Sequence, residues 1–302
     1  MLKPPTTYAQ QIALLRSRGC FVEDDSFAEE ALSQINYYRL SAYFLPFKAS
    51  DDTYLLGTSF DKIYQIYEFD RKLRNTLSRA VETVEVNLRA KIAYYHAHKY
   101  GVSGYLDAAN FSVQHRHDEF LDRVNAEIQN NRKAFFVQHH ITNYDGEFPI
   151  WVIIELFTLG MLSYFYGDLK PQDQKALARD LFGATYKNAI SWIRCCTVLR
   201  NICAHYGRLY YRVFSSVPAK LPHVTADNQR RLWAAVMALR ELYPDTDDWN
   251  SEADDWNSEI VESISALITE YSGVIKLKHI GFPEDWEALL KKITHLETSS
   301  LP

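Results

Sequence analysis

The segment Arg200-Asn201-Ile202-Cys203-Ala204-His205-Tyr206-Gly207-Arg208 brings a guanidinium, a carboxamide and an imidazole close together in the chain. Ile193, Val198 and Ile202 fall at helical spacing before it, and Gly207 is the expected stop. At about 100° per residue Asn201 and His205 share a helix face, and the long side chain of Arg200 flanks that face. These residue types suit RNA cleavage, in which the 2′-hydroxyl attacks the neighbouring phosphate and the protein supplies proton transfer and charge stabilisation. Histidine titrates near neutrality and serves as general base or acid. Arginine binds phosphate oxygens in a bidentate fork and stays charged as the transition state gains charge. Asn201 would orient the imidazole or a phosphate, and no metal or other cofactor is required. The candidate catalytic residues are therefore Arg200, Asn201 and His205. A structural polar cluster in a helix pair uses the same residue types, and the residues alone leave both readings open.

Arg-to-His spacing of this kind is not specific by itself, because Arg89…His96 and Arg132…His139 fit a looser version of it. Its charge setting separates the third instance. Residues 187–240 hold nine Lys/Arg against one acid, Asp227, a net of +8. From Glu241 onward fourteen Asp/Glu face four Lys, a net of −10, so the whole-chain charge of −5 conceals a strong asymmetry. A basic window beside the motif predicts a polyanion partner. Arg194, Arg208 and Arg212 are the expected RNA contacts. The paired histidines, 96/98, 115/117 and 139/140, are too close in sequence to share a helix face. Solvated helix histidines are expected there rather than a metal site. Cys20, Cys195, Cys196 and Cys203 match neither a disulfide framework nor a zinc pattern.

The elements that must position the motif read as helices. Gly (11) and Pro (10) are few among 302 residues, which leaves little turn punctuation for an all-β fold. Thr6 and Thr7 are candidate caps of a first helix, and a second follows Asp24. An aromatic third runs to Pro46, and Ser59 opens a run to Tyr100. In that run Ile63, Ile66, Leu73, Leu77, Val81, Val84, Leu88 and Ile92 form one apolar stripe, although its length predicts a break. Further helices are expected at about 113–139, 151–166, 171–182, 186–206, 227–242, 256–271 and 283–296, with 273–280 the only candidate strand. The fold class is all-α. Its expected parts are an N-terminal helical region (1–50), a helical core carrying the motif (51–215) and a C-terminal helical region (216–302). The repeated DDWNSE at 247–252 and 254–259 predicts an exposed acidic linker over 246–259. The apolar run 151–166 is too short to span a bilayer. With no apolar leader at the N-terminus, a soluble cytoplasmic protein without membrane partners is expected.

Arg200–His205 followed by Tyr206-Gly207-Arg208-Leu209 resembles the RNxxAHxxRL signature of bacterial abortive-infection (Abi) proteins of the AbiD/AbiF type, within the HEPN superfamily. Ile35-Asn36-Tyr37-Tyr38-Arg39-Leu40-Ser41-Ala42-Tyr43, Tyr67-Glu68-Phe69-Asp70-Arg71-Lys72-Leu73-Arg74, Glu85-Val86-Asn87-Leu88-Arg89 and Pro149-Ile150-Trp151 resemble further blocks, in the same order. Tyr211 stands where the family often has Asn. The resemblance covers about residues 3–215. It implies a HEPN-like helical bundle, a role in phage defence with a phage-derived trigger, and RNA as target. It also implies a homodimer in which two motifs face each other. Such proteins include metal-independent endoribonucleases and non-catalytic RNA-binding or protein-interaction modules.

Overall fold

The computed structural model describes residues 4–244 and 256–291. Among these the fold is all-α, and its β contacts are isolated bridges only. Thr7 caps α1 (Tyr8–Ser17): its hydroxyl accepts from the Gln10 amide while the Gln10 side chain accepts from the Thr7 amide. That reciprocal pair satisfies two amides a helix start leaves open. Asp24 caps α2 (Asp25–Gln34), and Asn36 caps α3 (Tyr37–Phe44). Ser59 caps α4 (Phe60–Tyr100), and Gly101, at φ 80°, ends it. The 41 residues of α4 run unbroken, because neither Gly nor Pro interrupts them and the apolar stripe never loses phase. At 1.5 Å per residue this rod is about 60 Å long.

The segment expected as one helix over 113–139 is two, α5 (His117–Asn130) and α6 (Phe135–Asn143), separated at Asn131, whose side chain bonds back to the Glu127 carbonyl. The apolar run after Pro149 also divides, into α7 (Ile150–Ile153), a short 3₁₀ turn and α8 (Leu159–Asp168), which is re-capped by Thr158. Then come α9 (Pro171–Phe182) and α10 (Tyr186–Ala204). The last three are α11 (Leu232–Leu242), α12 (Glu262–Glu270) and α13 (Trp286–Leu290). The candidate strand at 273–280 holds a 3₁₀ turn, Leu277–His279.

α10 lies at the centre, packed on α11, α8, α4 and α9. α11 is apolar all round and buried from Leu232 to Leu239, so it forms the inner wall behind α10. One hydrophobic cluster runs from Ile12 to Leu290. The expected linker at 246–259 lies outside the described residues except for its last four. There Trp256 is buried, with its indole N–H donating to the Leu290 carbonyl at 2.9 Å, while Ser258 is exposed. No described helix is long and apolar enough to cross a membrane.

Candidate functional site

α10 ends two residues earlier than the sequence suggests. Its C-cap is His205, and Tyr206, not Gly207, takes the left-handed conformation, at φ 55°. The Gly207 amide donates to the Ile202 carbonyl at 2.7 Å and the Tyr206 amide to the Cys203 carbonyl at 3.0 Å. This crossed pair is a Schellman closure, in which the left-handed place usually belongs to glycine. Gly207 is needed for a different reason. A Cβ there would stand 3.1 Å from Ile202 Cγ2 and 3.2 Å from the Ile202 carbonyl oxygen.

Asn201 and His205 are both exposed, one turn apart. Arg194 is exposed as well and, eleven residues before His205, falls on the same stripe of α10. Arg200 lies beside that stripe, on the wall of a groove of about 450 Å³ between α10 and α4, which Glu82, Glu85, Arg89, Cys203 and Ala204 also line. Arg200 Nε stands 3.5 Å from Glu85 Oε2, and its Nη1 stands 3.5 Å from Asn201 Oδ1. Glu85 is also paired with Arg89, whose guanidinium donates to the Phe157 carbonyl at 2.7 Å. Arg200 is therefore a cation held in place by a mostly buried carboxylate. His205 follows Ala204 just past the groove's end.

The turn after His205 is fastened by side chains from other elements. Asp70 on α4 is fully buried and accepts from the Tyr210 amide at 2.7 Å, the Leu209 amide at 3.1 Å, the Tyr43 hydroxyl at 2.7 Å and Arg74 Nη1 at 2.5 Å. Burial pushes the Asp70 carboxyl up, and these four donors pull against it by favouring the charged form. Arg74 Nη1 also donates to the Gly207 carbonyl at 3.2 Å, and Arg39 Nη1 on α3 donates to the Tyr206 carbonyl at 2.7 Å.

Of the expected RNA contacts, Arg194 is open to solvent and Arg212 is half-buried beside the turn. Arg208 is turned inward: it donates to the Ala42 carbonyl and its guanidinium lies over the Tyr43 ring, where burial lowers its pKa. Arg240, at the end of the basic window, is tied to Glu241 and to the carbonyls of Leu290 and Lys291. The structure thus brings Arg200, Asn201 and His205 to one helix end and leaves Arg208 facing the core.

A model of the family of Abi-like proteins matches residues 30–211, more than half of the chain. The chain belongs to that family. No curated protein and no solved structure matches it. The matched span of this Abi-like chain contains every contact made to the turn by Arg39, Asp70 and Arg74, and it ends at Tyr211. Three of the four quoted blocks thus meet the motif in space: α3 and α4 hold the turn, and Glu85 holds Arg200. Asp70, Arg74, Glu85 and Arg39 lie in the resembling blocks, where residue type alone does not reveal what they hold. Their only local signal was the four-residue spacing of Asp70/Arg74 and Glu85/Arg89 on one helix.

The histidines are not all solvated. His96 is fully buried against Tyr100, Phe111 and Phe165, neither ring nitrogen has a partner, and burial pushes its pKa down to about 4. His115 is also enclosed, stacked on Phe111 with Nδ1 2.9 Å from Asp168. Among the described residues no group of three or more His, Cys, Asp or Glu is arranged to hold a metal ion. The four cysteines are buried free thiols.

Proposed function

We propose that this Abi-like protein acts in abortive-infection defence as a metal-independent endoribonuclease of the HEPN type. The observation that carries the reading is the end of α10. There His205 and Asn201 are exposed on the stripe that holds Arg194, beside an Arg200 buttressed by Glu85. In this reading a phosphate of single-stranded RNA lies between Arg200 and His205. The 2′-oxygen attacks phosphorus, the bond to the 5′-oxygen breaks, and the products carry a 2′,3′-cyclic phosphate and a 5′-hydroxyl. One histidine takes the 2′-hydroxyl proton and a second gives a proton to the leaving oxygen. Arg200 neutralises the charge that builds on the phosphoryl oxygens, and Asn201 steadies the imidazole or the phosphate.

Each chain offers one such histidine, so the reading includes a two-fold homodimer that brings a second His205 to the same phosphate. The face beside the groove supports a copy-to-copy contact: Val86, Tyr94 and Trp151 are 59%, 67% and 51% exposed there. The test is incubation of RNA with EDTA present, followed by end-group analysis, for wild type and His205→Ala. Cyclic-phosphate fragments from wild type are expected, with a loss of roughly 10²–10⁴-fold or more in the variant. RNA binding without fragments would instead support a non-catalytic RNA-binding module. A folded and fully active His205→Ala would end the assignment.

A further inference from the structure

The turn after His205 gathers more positive charge than the catalytic reading uses. Four guanidiniums touch it: Arg39 on the Tyr206 carbonyl at 2.7 Å, Arg74 on the Gly207 carbonyl at 3.2 Å, Arg212 on the Arg208 carbonyl at 3.4 Å, and Arg208 itself, which leaves for the core. A single carboxylate, Asp70, answers them, and it is spent on Arg74, Tyr43 and two amides. Neither Arg39 nor Arg212 has a carboxylate within ion-pair distance among the described residues, and Arg39 is exposed. Carbonyl oxygens fix where these two forks sit but do not neutralise them, and each fork keeps N–H donors to spare.

Tyr206 supplies an independent observation. A non-glycine residue in the left-handed conformation is disfavoured by about 1–2 kcal/mol, and glycine would fill this helix-closing place without that cost. Tyrosine occupies it and is 67% exposed, so the residue gains little from packing. Strain held at the rim of a site, with no burial to offset it, points to a use for the side chain. Tyr38, which precedes Arg39 on α3, is 85% exposed.

We propose that Arg39, Arg212 and the Tyr206 ring form a second subsite for single-stranded RNA, next to the nucleotide held at His205. The two guanidiniums take the adjoining phosphate and the phenol ring stacks on its base. Single-stranded RNA fits because only unstacked bases offer a face to an exposed ring. The identity of the occupant rests on the ribonuclease reading. The geometry adds α3, which lies outside the basic window, to the substrate path.

The probe is a short oligoribonucleotide with every 2′-hydroxyl methylated, so that binding is read without cleavage. Fluorescence anisotropy over a salt series gives the slope of log affinity against log salt. The double variant Arg39→Gln/Arg212→Gln should lower that slope by about 0.7, the counterion share of the one phosphate the two forks take on a single strand, and each single variant should lower it by part of that. Arg116→Gln, at an exposed arginine that precedes α5 and pairs with Glu119, should leave it unchanged. Tyr206→Gly should weaken binding roughly tenfold while melting at or above the wild-type temperature, because it removes a stacking face and relieves the backbone. A melting loss in Arg39→Gln with an unchanged slope would make that residue a tether only and overturn the subsite, as would wild-type binding by Tyr206→Gly. Cleavage of unmodified RNA is scored separately. An Arg39-dependent slope in a wild-type protein that cuts nothing would keep the subsite and overturn the nuclease reading. Cleavage with an Arg39-independent slope would do the reverse.

Discussion

Asp70→Asn tests the claim that a buried carboxylate on α4 sets the path of the chain after His205. The substitution keeps the shape but replaces one acceptor by an NH₂ that must face donors. Whichever way the amide turns, its NH₂ meets donors: Tyr43, Arg74 and the Leu209 amide on one side, or the Leu209 and Tyr210 amides on the other. It also strips the partner from an Arg74 that is 4% exposed. Removing one member of a buried pair typically costs about 3–5 kcal/mol. An unfolding entropy of about 2.1 cal/mol/K per residue over the 302-residue chain makes that a fall of roughly 5–8 °C in melting temperature. The assay is a double-mutant cycle with Arg74→Met, read by denaturant midpoint, together with hydrogen exchange at Leu209 and Tyr210. The double variant should be less damaged than the sum of the singles by about 0.5–3 kcal/mol, because no charge is left buried alone. Both amides should lose protection in Asp70→Asn, and RNA cleavage should fall with them. Additive losses, or amides that stay protected, would refute the reasoning.

Further outcomes follow from the same geometry. Arg194→Gln should weaken RNA binding with an unchanged melting temperature, whereas Arg208→Gln should lower the melting temperature, because its guanidinium serves the Ala42 carbonyl and the Tyr43 ring; binding and melting curves on the same preparations separate them. Burial holds His96 at about 4 against an unfolded value near 6.5, so the unfolded chain takes up a proton that the folded chain refuses. The stability this contributes is whole above about pH 6.5 and is lost as pH falls to about 4, by ~3 kcal/mol, and His96→Leu should flatten that acid limb in a stability-against-pH series. Gly207→Ala should lose about 1–3 kcal/mol and some cleavage, because its Cβ would press on Ile202; an unshifted urea midpoint would contradict this.

Local signals in the sequence reached as far as local physics does. Thr7 and Ser59 were readable as caps because a hydroxyl before an apolar-periodic run has few other uses, and the stripe of α4 was visible at its own spacing. The expected break in α4 rested on length alone, and nothing in its composition supplies one. Gly207 marks the end of α10 in sequence, but Ile202 crowds that position, so the glycine answers a steric need while Tyr206 takes the turn. Arg208 and Arg194 look alike in sequence, and only the placement of α3 separates an inward guanidinium from an exposed one. The same holds for Glu85 and Arg200, which lie on different helices and meet through packing that no spacing rule encodes.

The polar residues around the turn act on its backbone. Leu209 and Tyr210 donate their amides to Asp70, and the carbonyls of Tyr206, Gly207 and Arg208 receive Arg39, Arg74 and Arg212. The chain leaving the helix end has no helical partners for these groups, and the two buried amides, those of Leu209 and Tyr210, must be paired. An apolar core could match the stability of a buried ion pair, since its desolvation cancels much of its attraction. It could not bond two amides and three carbonyls at fixed angles. The charged residues at 39, 70, 74 and 212 therefore specify a conformation more than they add stability, and that conformation places His205 and Tyr206 at the surface beside Arg200. On this argument the separated sequence blocks form one device: α3 and α4 shape the turn, α10 carries the groups proposed to react, and loss of either should disable the proposed site through a different measurable quantity.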